Sequence, residues 1–473
     1  MPTDPRLPWL LPLTELLTVC GFLLALVLLA QLLRSNRPPS STIAWLLVIV
    51  LIPYVGVPLY VIFGGRKMKR MAARKGKVYR RDDDPSASAS GTAAERVLRS
   101  FGIPAATPGN WVEVVSSGEE AYRKLIDLID TAQTSIHVTT YILAPDAVGR
   151  AVIERLTSRA AAGLEVRLLL DDVGSWRLPK RDLAPLIAAG GEVAWFMPVF
   201  HRPFQGRANL RNHRKIIVAD GALAIAGGMN IAEEYMGPYP LPTRWRDVSA
   251  VLEGPAAADL DDLFASDWAF ANGQVAPTAN RPPSPDEPAA APTADGSPVQ
   301  VVASGPDVEG DPLYESLISL LFSARERIWV VTPYFVPDEI LVRALDLAAR
   351  RGVDVRLVIP NRSNHLTADL ARVGYLRQVH EAGGKVLRYR PGMIHGKVMV
   401  VDNDLAVVGS ANMDMRSLFL NYEVALFLYG PDQIHASVAW IESLLPHCRS
   451  GIPQRSRLGE LAENIVRLLS PLL

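Results

Sequence analysis

Cysteine is nearly absent from this chain of 473 residues. Only Cys20 and Cys448 are present. Cys20 lies inside an apolar run and Cys448 lies near the carboxyl end, so no disulfide framework is predicted. This scarcity is consistent with a cytosolic setting for the folded part. No Cys and His spacing typical of a zinc site is present either.

An excess of charge of either sign is also missing. Lys and Arg total 49, and Asp and Glu total 49, so the formal net charge is zero. Proteins that bind nucleic acids are generally basic over the binding domain. The balance therefore predicts no nucleic-acid partner, while the length leaves room for two sizeable domains and an anchor.

Two long apolar runs stand near the amino terminus, at residues 10–33 and 43–63. Each has about 20 residues, enough to cross about 30 Å of hydrocarbon. The alternative, a signal peptide followed by a buried helix, is disfavoured because the first run lacks a basic leader and a clear small-residue cleavage site. We predict a membrane anchor of residues 1–66 with two transmembrane helices.

A basic cluster follows the second run, with nine Lys and Arg between positions 66 and 81. Cytoplasmic flanks of membrane helices are rich in these residues. Although Arg34 and Arg37 in the intervening loop oppose this orientation, the cluster outnumbers them. We predict a multi-pass protein of the inner (cytoplasmic) membrane whose domains after the second run lie on the cytoplasmic side. The cluster belongs to a basic and then polar linker, residues 67–107, and also suits contact with anionic headgroups.

One residue pattern occurs twice with identical spacing. The first copy consists of His213, Lys215, Asp220, Gly228 and Asn230, and the second consists of His395, Lys397, Asp402, Ser410 and Asn412. Either copy alone would be weak evidence, because isolated histidines and lysines are common on protein surfaces. Two copies with every interval kept predict one site with two imidazoles and two ammonium groups.

Each copy has the pattern of two strands joined by a turn. His and Lys, two positions apart, fall on one face of a strand. An apolar run follows, then a turn at Asp220 or Asp402, and then a second apolar run that ends in Gly-Gly or Gly-Ser. Glycine there would permit close approach of the backbone to a ligand. The two aspartates, counted with the catalytic set of the motif, are expected to act mainly in the structure of the turn.

The duplication extends beyond the motifs. Residues 121–171 and 313–360 both read as helix, strand, helix, strand, with glycines that end the second helix near Gly163 and Gly352. Alternating helices and strands predict two α/β domains, at 108–271 and 299–473, joined by a Pro/Ala-rich linker at 272–298. Duplicated halves predict a pseudo-two-fold axis that brings His213 and His395 together.

These motifs resemble those of the phospholipase D superfamily. The block Asn412-Met-Asp-Met-Arg-Ser-Leu-Phe-Leu-Asn-Tyr-Glu423, the segment Thr332-Pro-Tyr-Phe-Val-Pro337 and the terminal residues 467–473 are similar to bacterial cardiolipin synthases. The resemblance covers nearly the whole chain outside the two linkers. It implies two phospholipase D-like α/β domains behind two transmembrane helices.

The residues of the motifs suit a two-step displacement at phosphorus. One histidine attacks, the other protonates the leaving alcohol, and a second hydroxyl then attacks the phosphatidyl-histidine. Lys215, Lys397, Asn230 and Asn412 would bind the non-bridging oxygens. We predict no cofactor and no metal, because the lysines supply positive charge. The resemblance implies His213 as nucleophile and His395 as acid and base, while the symmetry of the motifs leaves the reverse order open.

Each histidine needs an acidic residue to orient it. Glu423, after the second motif, is the candidate for His395, and Asp247, in the corresponding block of the first half, is the candidate for His213. Ser410, where the first copy has Gly228, is expected to add a hydroxyl near the phosphate. Two further residues align in the repeat and either line the cleft or belong to the core: Tyr141 and Tyr334.

The resemblance to cardiolipin synthases, together with the two predicted spans and the predicted cytoplasmic side, implies the leading hypothesis: transfer of a phosphatidyl group from one phosphatidylglycerol to another, which yields cardiolipin and glycerol. A membrane supplies both lipids at high local concentration, and this favours a lipid hydroxyl over water. The alternatives are a hydrolytic phospholipase D that forms phosphatidic acid, a nuclease, and an inert membrane scaffold. The sequence leaves open the oligomeric state and the use of phosphatidylethanolamine.

Overall fold

The computed structural model describes residues 24, 26–28, 30, 39–63, 78–79, 91–198, 210–274 and 296–452. The first predicted membrane run lies almost entirely outside the described residues. So do most of the basic cluster, most of the 272–298 linker and the terminal block 467–473. The predictions made for these segments therefore stay predictions.

Two short helices occupy the second apolar run, α1 (Pro39–Leu51) and α2 (Pro53–Phe63). The break falls at Ile52, just before Pro53, because proline disfavours a helical conformation in the residue that precedes it. The rings of Trp45 and Tyr60 pack edge to face across the pair, 5.2 Å apart. Among the described residues, no helix is both long enough and apolar enough to cross a bilayer.

The segment expected to be a linker, 67–107, holds a helix instead, α3 (Ala93–Ser100). Thr92 accepts a hydrogen bond from the Glu95 amide, and Glu95 accepts one from the Gly91 amide, an arrangement that starts helices. Nearby in sequence, the Tyr79 hydroxyl is buried and bonds to the backbone of Val301 and Ala303. The described part of this segment thus packs on the second half of the chain.

The first domain alternates helices and strands as predicted. Its elements are β1 (Thr107–Val115), α4 (Gly118–Thr131), β2 (Ser135–Thr140), α5 (Ala147–Ala161), β3 (Glu165–Asp171), a 3-10 turn (Lys180–Leu183), α6 (Ala184–Ala188), β4 (Glu192–Phe196), β5 (Ile216–Ala219), β6 (Leu223–Gly227), β7 (Ser249–Glu253) and α7 (Pro255–Ala271).

The second domain repeats this order. Its elements are β8 (Ser297–Ser304), α8 (Pro312–Ser323), β9 (Arg327–Val331), β10 (Phe335–Val336), α9 (Glu339–Arg350), β11 (Asp354–Pro360), α10 (Leu366–Glu381), β12 (Lys385–Tyr389), β13 (Val398–Val401), β14 (Leu405–Gly409), β15 (Met413–Asp414), α11 (Met415–Phe419), β16 (Glu423–Leu428), α12 (Pro431–Leu444), a 3-10 turn (Leu445–His447) and β17 (Cys448–Ser450).

Local sequence signals explain why matching helices start and stop at matching places. Asp146 caps α5 and Asp338 caps α9, each by accepting a hydrogen bond from a backbone amide three residues later. Both helices end just before a glycine in the left-handed region, Gly163 at φ 92° and Gly352 at φ 89°. The predicted stops near these glycines are confirmed.

Most of the strands form one mixed sheet that runs through both domains. Its order is β17-β12-β11-β9-β13-β14-β16-β8-β1-β7-β6-β5-β2-β3-β4. Outward from the central β8–β1 pair, the two halves read as mirror copies, apart from the extra edge strand β17. The predicted pair of repeated α/β domains with pseudo-two-fold symmetry is confirmed.

Candidate active site

The two motifs meet where the halves of the sheet join. His213 and Lys215 immediately precede β5, and His395 and Lys397 immediately precede β13, so each strand begins one residue after the lysine. The His213 amide donates to the Tyr422 carbonyl at 2.9 Å, and the His395 amide donates to the Arg246 carbonyl at 2.7 Å. Each histidine is therefore held by backbone of the opposite half.

The carboxylate partners of the histidines are crossed between the halves. His213 Nδ1 lies 3.0 Å from both carboxylate oxygens of Glu423. His395 Nδ1 lies 2.7 Å from Asp247 Oδ2. The prediction that Glu423 orients His395 and Asp247 orients His213 is therefore wrong in its pairing. The backbone just before each carboxylate pairs with the motif of the opposite half. Closeness in sequence to a motif therefore did not show which histidine each carboxylate contacts.

Gly228 and Ser410, at equal positions in the two motifs, serve these carboxylates. A side-chain Cβ on Gly228 would lie 2.2 Å from Asp247 Oδ1, so only glycine leaves room for the carboxylate. Ser410 instead donates its hydroxyl to Glu423 Oε2 at 2.5 Å. The close approach that was expected at Gly228 is thus made by a carboxylate of the protein. The Ser410 hydroxyl, which was expected near the phosphate, is hydrogen-bonded to Glu423.

Burial governs the protonation of the histidines. It lowers the pKa of His213 to about 4 and that of His395 to about 3, although Glu423 and Asp247 oppose the shifts. Burial raises the pKa values of these two acids, but the neighbouring histidines and lysines outweigh it and hold both below their ordinary values. In the free protein at neutral pH, both imidazoles are therefore neutral and both carboxylates are charged.

The two lysines lie beside their own histidines. Lys215 Nζ donates to the His213 carbonyl at 2.6 Å, and Lys397 Nζ donates to the His395 carbonyl at 2.5 Å. Burial lowers the pKa of Lys397 to about 8 and that of Lys215 well below its ordinary value. The nearby Lys397 also lowers the pKa of Lys215, so an anion bound between them would stabilise both charges.

The motif asparagines are buried and tied to the protein at one end. Asn230 Oδ1 accepts from the Ile142 amide at 3.1 Å, and Asn412 Nδ2 donates to the Ser417 hydroxyl at 3.0 Å. An Nδ2 group has two N–H bonds. Each amide therefore keeps a donor, as a role in binding phosphate oxygens requires.

The motif aspartates stand apart from the histidines. Asp220 accepts from the amides of Gln133, Thr134 and Ser135, at the start of β2. Asp402 does the same for residues 325–327 at the start of β9. Both occupy the left-handed region at the turn, with φ of 54° and 50°. Their inclusion in the catalytic set is corrected, since these carboxylates bind backbone amides, as expected for a structural role in the turn.

Aromatic rings pack on both histidines. Tyr141, aligned in the repeat, lies edge to face with His213 at 5.0 Å. Its partner in the repeat, Tyr334, bonds to Asn364 instead. Tyr235 and Trp245 contact the His395 ring at 5.1 Å and 5.4 Å. Tyr235 and Trp245 were not predicted as site residues, because no spacing in the motif marks them.

Arg214, between the first histidine and lysine, was also missed. It is fully buried and donates to Asp267 at 2.5 Å, to the Glu423 carbonyl at 3.0 Å and to the Ser304 carbonyl at 3.1 Å. It therefore ties the first domain to β8 and β16 of the second. The matching position is Gly396, so only the interruption of the repeat could have drawn attention to Arg214.

A second buried ion pair lies next to His213. Arg211 Nη1 is 3.5 Å from Asp171 Oδ1, and Asp171 also accepts from the Asn212 amide at 2.9 Å. Arg416 lies within electrostatic range of both residues. In the described ranges, no group of three or more His, Cys, Asp or Glu side chains is arranged to hold a metal ion.

Known proteins are similar to this chain over nearly its whole length. The family described as "Cardiolipin synthase, PLD-like domain" matches residues 125–268 and 317–445, and the family described as "Phospholipase_D-nuclease N-terminal" matches residues 23–65. Cardiolipin synthase of Geobacillus kaustophilus is 36% identical, over 98% of this chain and 94% of its own. Cardiolipin synthase 1 of Bacillus anthracis is 33% identical, over 93% of this chain and 90% of its own.

A solved structure shares the fold. The phosphatidylserine synthase of Haemophilus influenzae covers 80% of this chain and 100% of its own length, with a TM-score of 0.59 and 15% identity. The repeated α/β domains, the paired motifs at their junction and the near full-length similarity lead to one conclusion: the chain belongs to the phospholipase D-like cardiolipin synthase family.

Proposed function

We propose that this chain synthesises cardiolipin by transferring a phosphatidyl group from one phosphatidylglycerol to another, with release of glycerol. The observation that carries the proposal is the pair of buried His-Lys motifs at the domain junction, each histidine held by a carboxylate from the opposite half. The near full-length similarity to cardiolipin synthases supports the choice of lipid substrates.

The chemistry follows from the protonation of the site. A neutral imidazole attacks phosphorus through Nε2, because Nδ1 is engaged by a carboxylate. The other imidazole takes up a proton when the anionic substrate binds. It then gives this proton to the glycerol oxygen as that oxygen leaves. The phosphorus–nitrogen bond then breaks as the hydroxyl of a second phosphatidylglycerol attacks and gives its proton to the second imidazole.

Each group has a proposed role. Lys215, Lys397, Asn230 and Asn412 bind the non-bridging oxygens, where charge accumulates in the transition state. Glu423 and Asp247 orient His213 and His395 and stabilise the imidazolium form. We keep His213 as nucleophile and His395 as acid and base. The near-symmetric geometry is compatible with either order, so trapping the phosphohistidine and sequencing the labelled peptide is the test.

Product analysis by mass spectrometry tests the function. Purified full-length protein in phosphatidylglycerol vesicles should form cardiolipin and glycerol in equal amounts. His213→Ala and His395→Ala should each lower the turnover of the folded protein by at least about a thousandfold. Near-normal turnover in either variant would refute the two-histidine mechanism. Phosphatidic acid as the main product would make water the acceptor and the protein a hydrolase.

We further propose that residues 10–33 and 43–63 anchor the chain in the cytoplasmic membrane, with the catalytic domains on the cytoplasmic side. The two apolar runs and the basic residues at 66–81 support this arrangement. The test places one exposed cysteine in the second domain, as Phe322→Cys combined with Cys20→Ser and Cys448→Ser. An impermeant maleimide should label it only after the cells are lysed, and labelling of intact spheroplasts would contradict the proposed orientation.

A further inference from the structure

The loops around the two histidines lie at one edge of the sheet. β5 runs antiparallel to β2, and β13 runs antiparallel to β9, while β3 and β11 run parallel to these two strands. The carboxyl ends of β3 and β11 therefore face the same edge as His213 and His395. Three loops emerge there, at residues 172–179, 237–243 and 361–365.

Contacts confirm that these loops surround the site. The first follows Asp171, which is bonded to the amide next to His213. The second lies between Tyr235 and Trp245, whose rings both touch His395. The third carries Asn364, which accepts the Tyr334 hydroxyl at 2.5 Å, and Tyr334 lies within electrostatic range of Tyr235, the ring beside His395. We call these three loops, extended to Leu366, the rim.

Apolar side chains project from the rim into solvent. Trp176 is 70% exposed, Tyr239 is 78% exposed and Leu366 is 73% exposed. Tyr239 and Leu241 stand in the exposed sequence Pro238-Tyr-Pro-Leu-Pro242. Trp176 comes five residues after the end of β3 and Leu366 six residues after the end of β11, so the two domains present an apolar tip at matching places.

Basic side chains accompany these apolar tips. Arg177, Lys180 and Arg181 follow Trp176, Arg362 precedes Leu366, and all four are exposed. The Arg177 guanidinium lies 5.3 Å from the Trp176 ring. Arg181 has an acidic neighbour, Asp182, at 3.8 Å. Aromatic and aliphatic side chains flanked by Arg and Lys are typical of surfaces that enter the headgroup region of anionic bilayers.

We propose that the rim docks on an anionic phospholipid surface, with Trp176, Tyr239, Leu241 and Leu366 inserted among the lipids and the basic residues against the headgroup phosphates. The proposal rests on the lipid substrates proposed above. Docking of this edge points the junction of the two domains at the bilayer, so a phosphatidylglycerol headgroup reaches the histidines while its acyl chains stay in the membrane. A protein interface generally presents one continuous apolar patch. Three separate apolar tips therefore suit a fluid lipid surface better than a protein partner.

The test compares two substrates and two double variants of the full-length protein. The rim variant is Trp176→Ser with Leu366→Ser. The control variant is Ile187→Ser with Phe322→Ser, which removes exposed apolar side chains, 55% and 41% exposed, from the opposite edge of the sheet. One substrate is long-chain phosphatidylglycerol in vesicles, and the other is dihexanoyl phosphatidylglycerol dissolved below its micelle concentration.

The rim variant should lose at least about tenfold in activity on vesicles and stay within about twofold of the unmodified protein on the dissolved lipid, because each tip removes a large apolar surface from water on docking. The control variant should keep both activities. Equal loss on both substrates, or no loss on vesicles, would overturn the proposal. If the unmodified protein forms no cardiolipin from either lipid, the proposed function fails instead.

A direct readout does not depend on turnover. Fluorescence of the unmodified protein minus that of Trp176→Phe isolates the Trp176 signal. Phosphatidylglycerol vesicles with brominated acyl chains should quench this difference signal, and neutral phosphatidylcholine vesicles should quench it less. An unquenched signal in phosphatidylglycerol would show that Trp176 stays in water and would refute the docking.

Discussion

At the scale of single residues, each motif histidine depends on the other half of the chain for its charge partner. Glu423 is fully buried and Asp247 is 1% exposed, so both carboxylates have little access to water. A buried carboxylate on Nδ1 holds the proton on that nitrogen and leaves the lone pair of the neutral ring on Nε2. The crossed pairs therefore make both halves necessary for each imidazole.

Substitution of the carboxylates should reveal the crossing. Asp247→Asn and Glu423→Gln should each lower kcat by about a thousandfold, because the imidazolium loses its stabilising charge. Imidazole ¹⁵N spectra, with His213 and His395 assigned from their alanine variants, give the pairing. Glu423→Gln should shift chiefly the His213 signals, and Asp247→Asn those of His395. The reverse result would show that each histidine is paired with the carboxylate of its own half.

The two motif lysines should set the alkaline limit of activity. Burial lowers the pKa of Lys397 to about 8 and that of Lys215 well below its ordinary value, so the free enzyme loses positive charge as the pH rises. The kcat/KM profile, which reports groups of the free enzyme, should have fallen above about pH 8. In the double variant Lys215→Arg with Lys397→Arg both cations persist, so the fall should move to higher pH even if the overall rate drops. An unchanged alkaline limit would exclude the two lysines as its cause.

At the scale of elements, the two motif hairpins are fastened by their turns. Asp220 accepts hydrogen bonds from three backbone amides at the start of β2, and Asp402 accepts them from three amides at the start of β9. These amides precede the strands that flank β5 and β13. The turn aspartates thus position the motif strands from the edge opposite the histidines.

Asp220→Asn and Asp402→Asn should each reduce the free energy of unfolding by about 1–3 kcal/mol, because backbone amides lose a charged acceptor. Calorimetry in detergent should show a lower melting temperature for both variants. The activity of the protein that remains folded should stay within about threefold of the unmodified level, in contrast to the histidine variants. A thousandfold loss of activity in well-folded Asp402→Asn would return this residue to the catalytic set.

At the scale of the whole molecule, the two domains share one sheet and one site. β1 pairs with β8, and buried Arg214 reaches across to Ser304 and Glu423. Arg214 Nη2 also lies 3.6 Å from Asp307 Oδ2 of the second domain, and breaking a buried charge pair of this kind costs about 3–5 kcal/mol. The domain junction is consequently both the proposed catalytic centre and a source of stability.

Separated halves should therefore be inactive alone and active together. Fragments 1–285 and 286–473, divided within the Pro/Ala-rich stretch, should each give no cardiolipin when purified separately. Co-expressed, they should restore activity, because the contacts at the junction do not require a continuous chain. A matched pair with Glu423→Gln in the second fragment should stay inactive. Cardiolipin formed by either fragment alone would show that one half contains a complete site.

The amino-acid sequence by itself determined the duplicated architecture and the residues that meet at the site. The order of helices and strands follows from near neighbours: aspartate caps, glycine stops such as Gly163, and alternating apolar runs. The motif histidines and lysines could be predicted because their spacing is repeated. These features depend on residues a few positions apart, and such interactions are readable along a chain.

Only the tertiary structure decided which carboxylate serves which histidine. His213 and Glu423 are 210 positions apart, and His395 and Asp247 are 148 apart, so no local pattern links them. The same holds for the packing of residues 78–79 and 91–107 on the second domain, and for Tyr235 and Trp245 beside His395. A buried charge requires a partner. The pairing of distant strands decides which partner lies close enough to it.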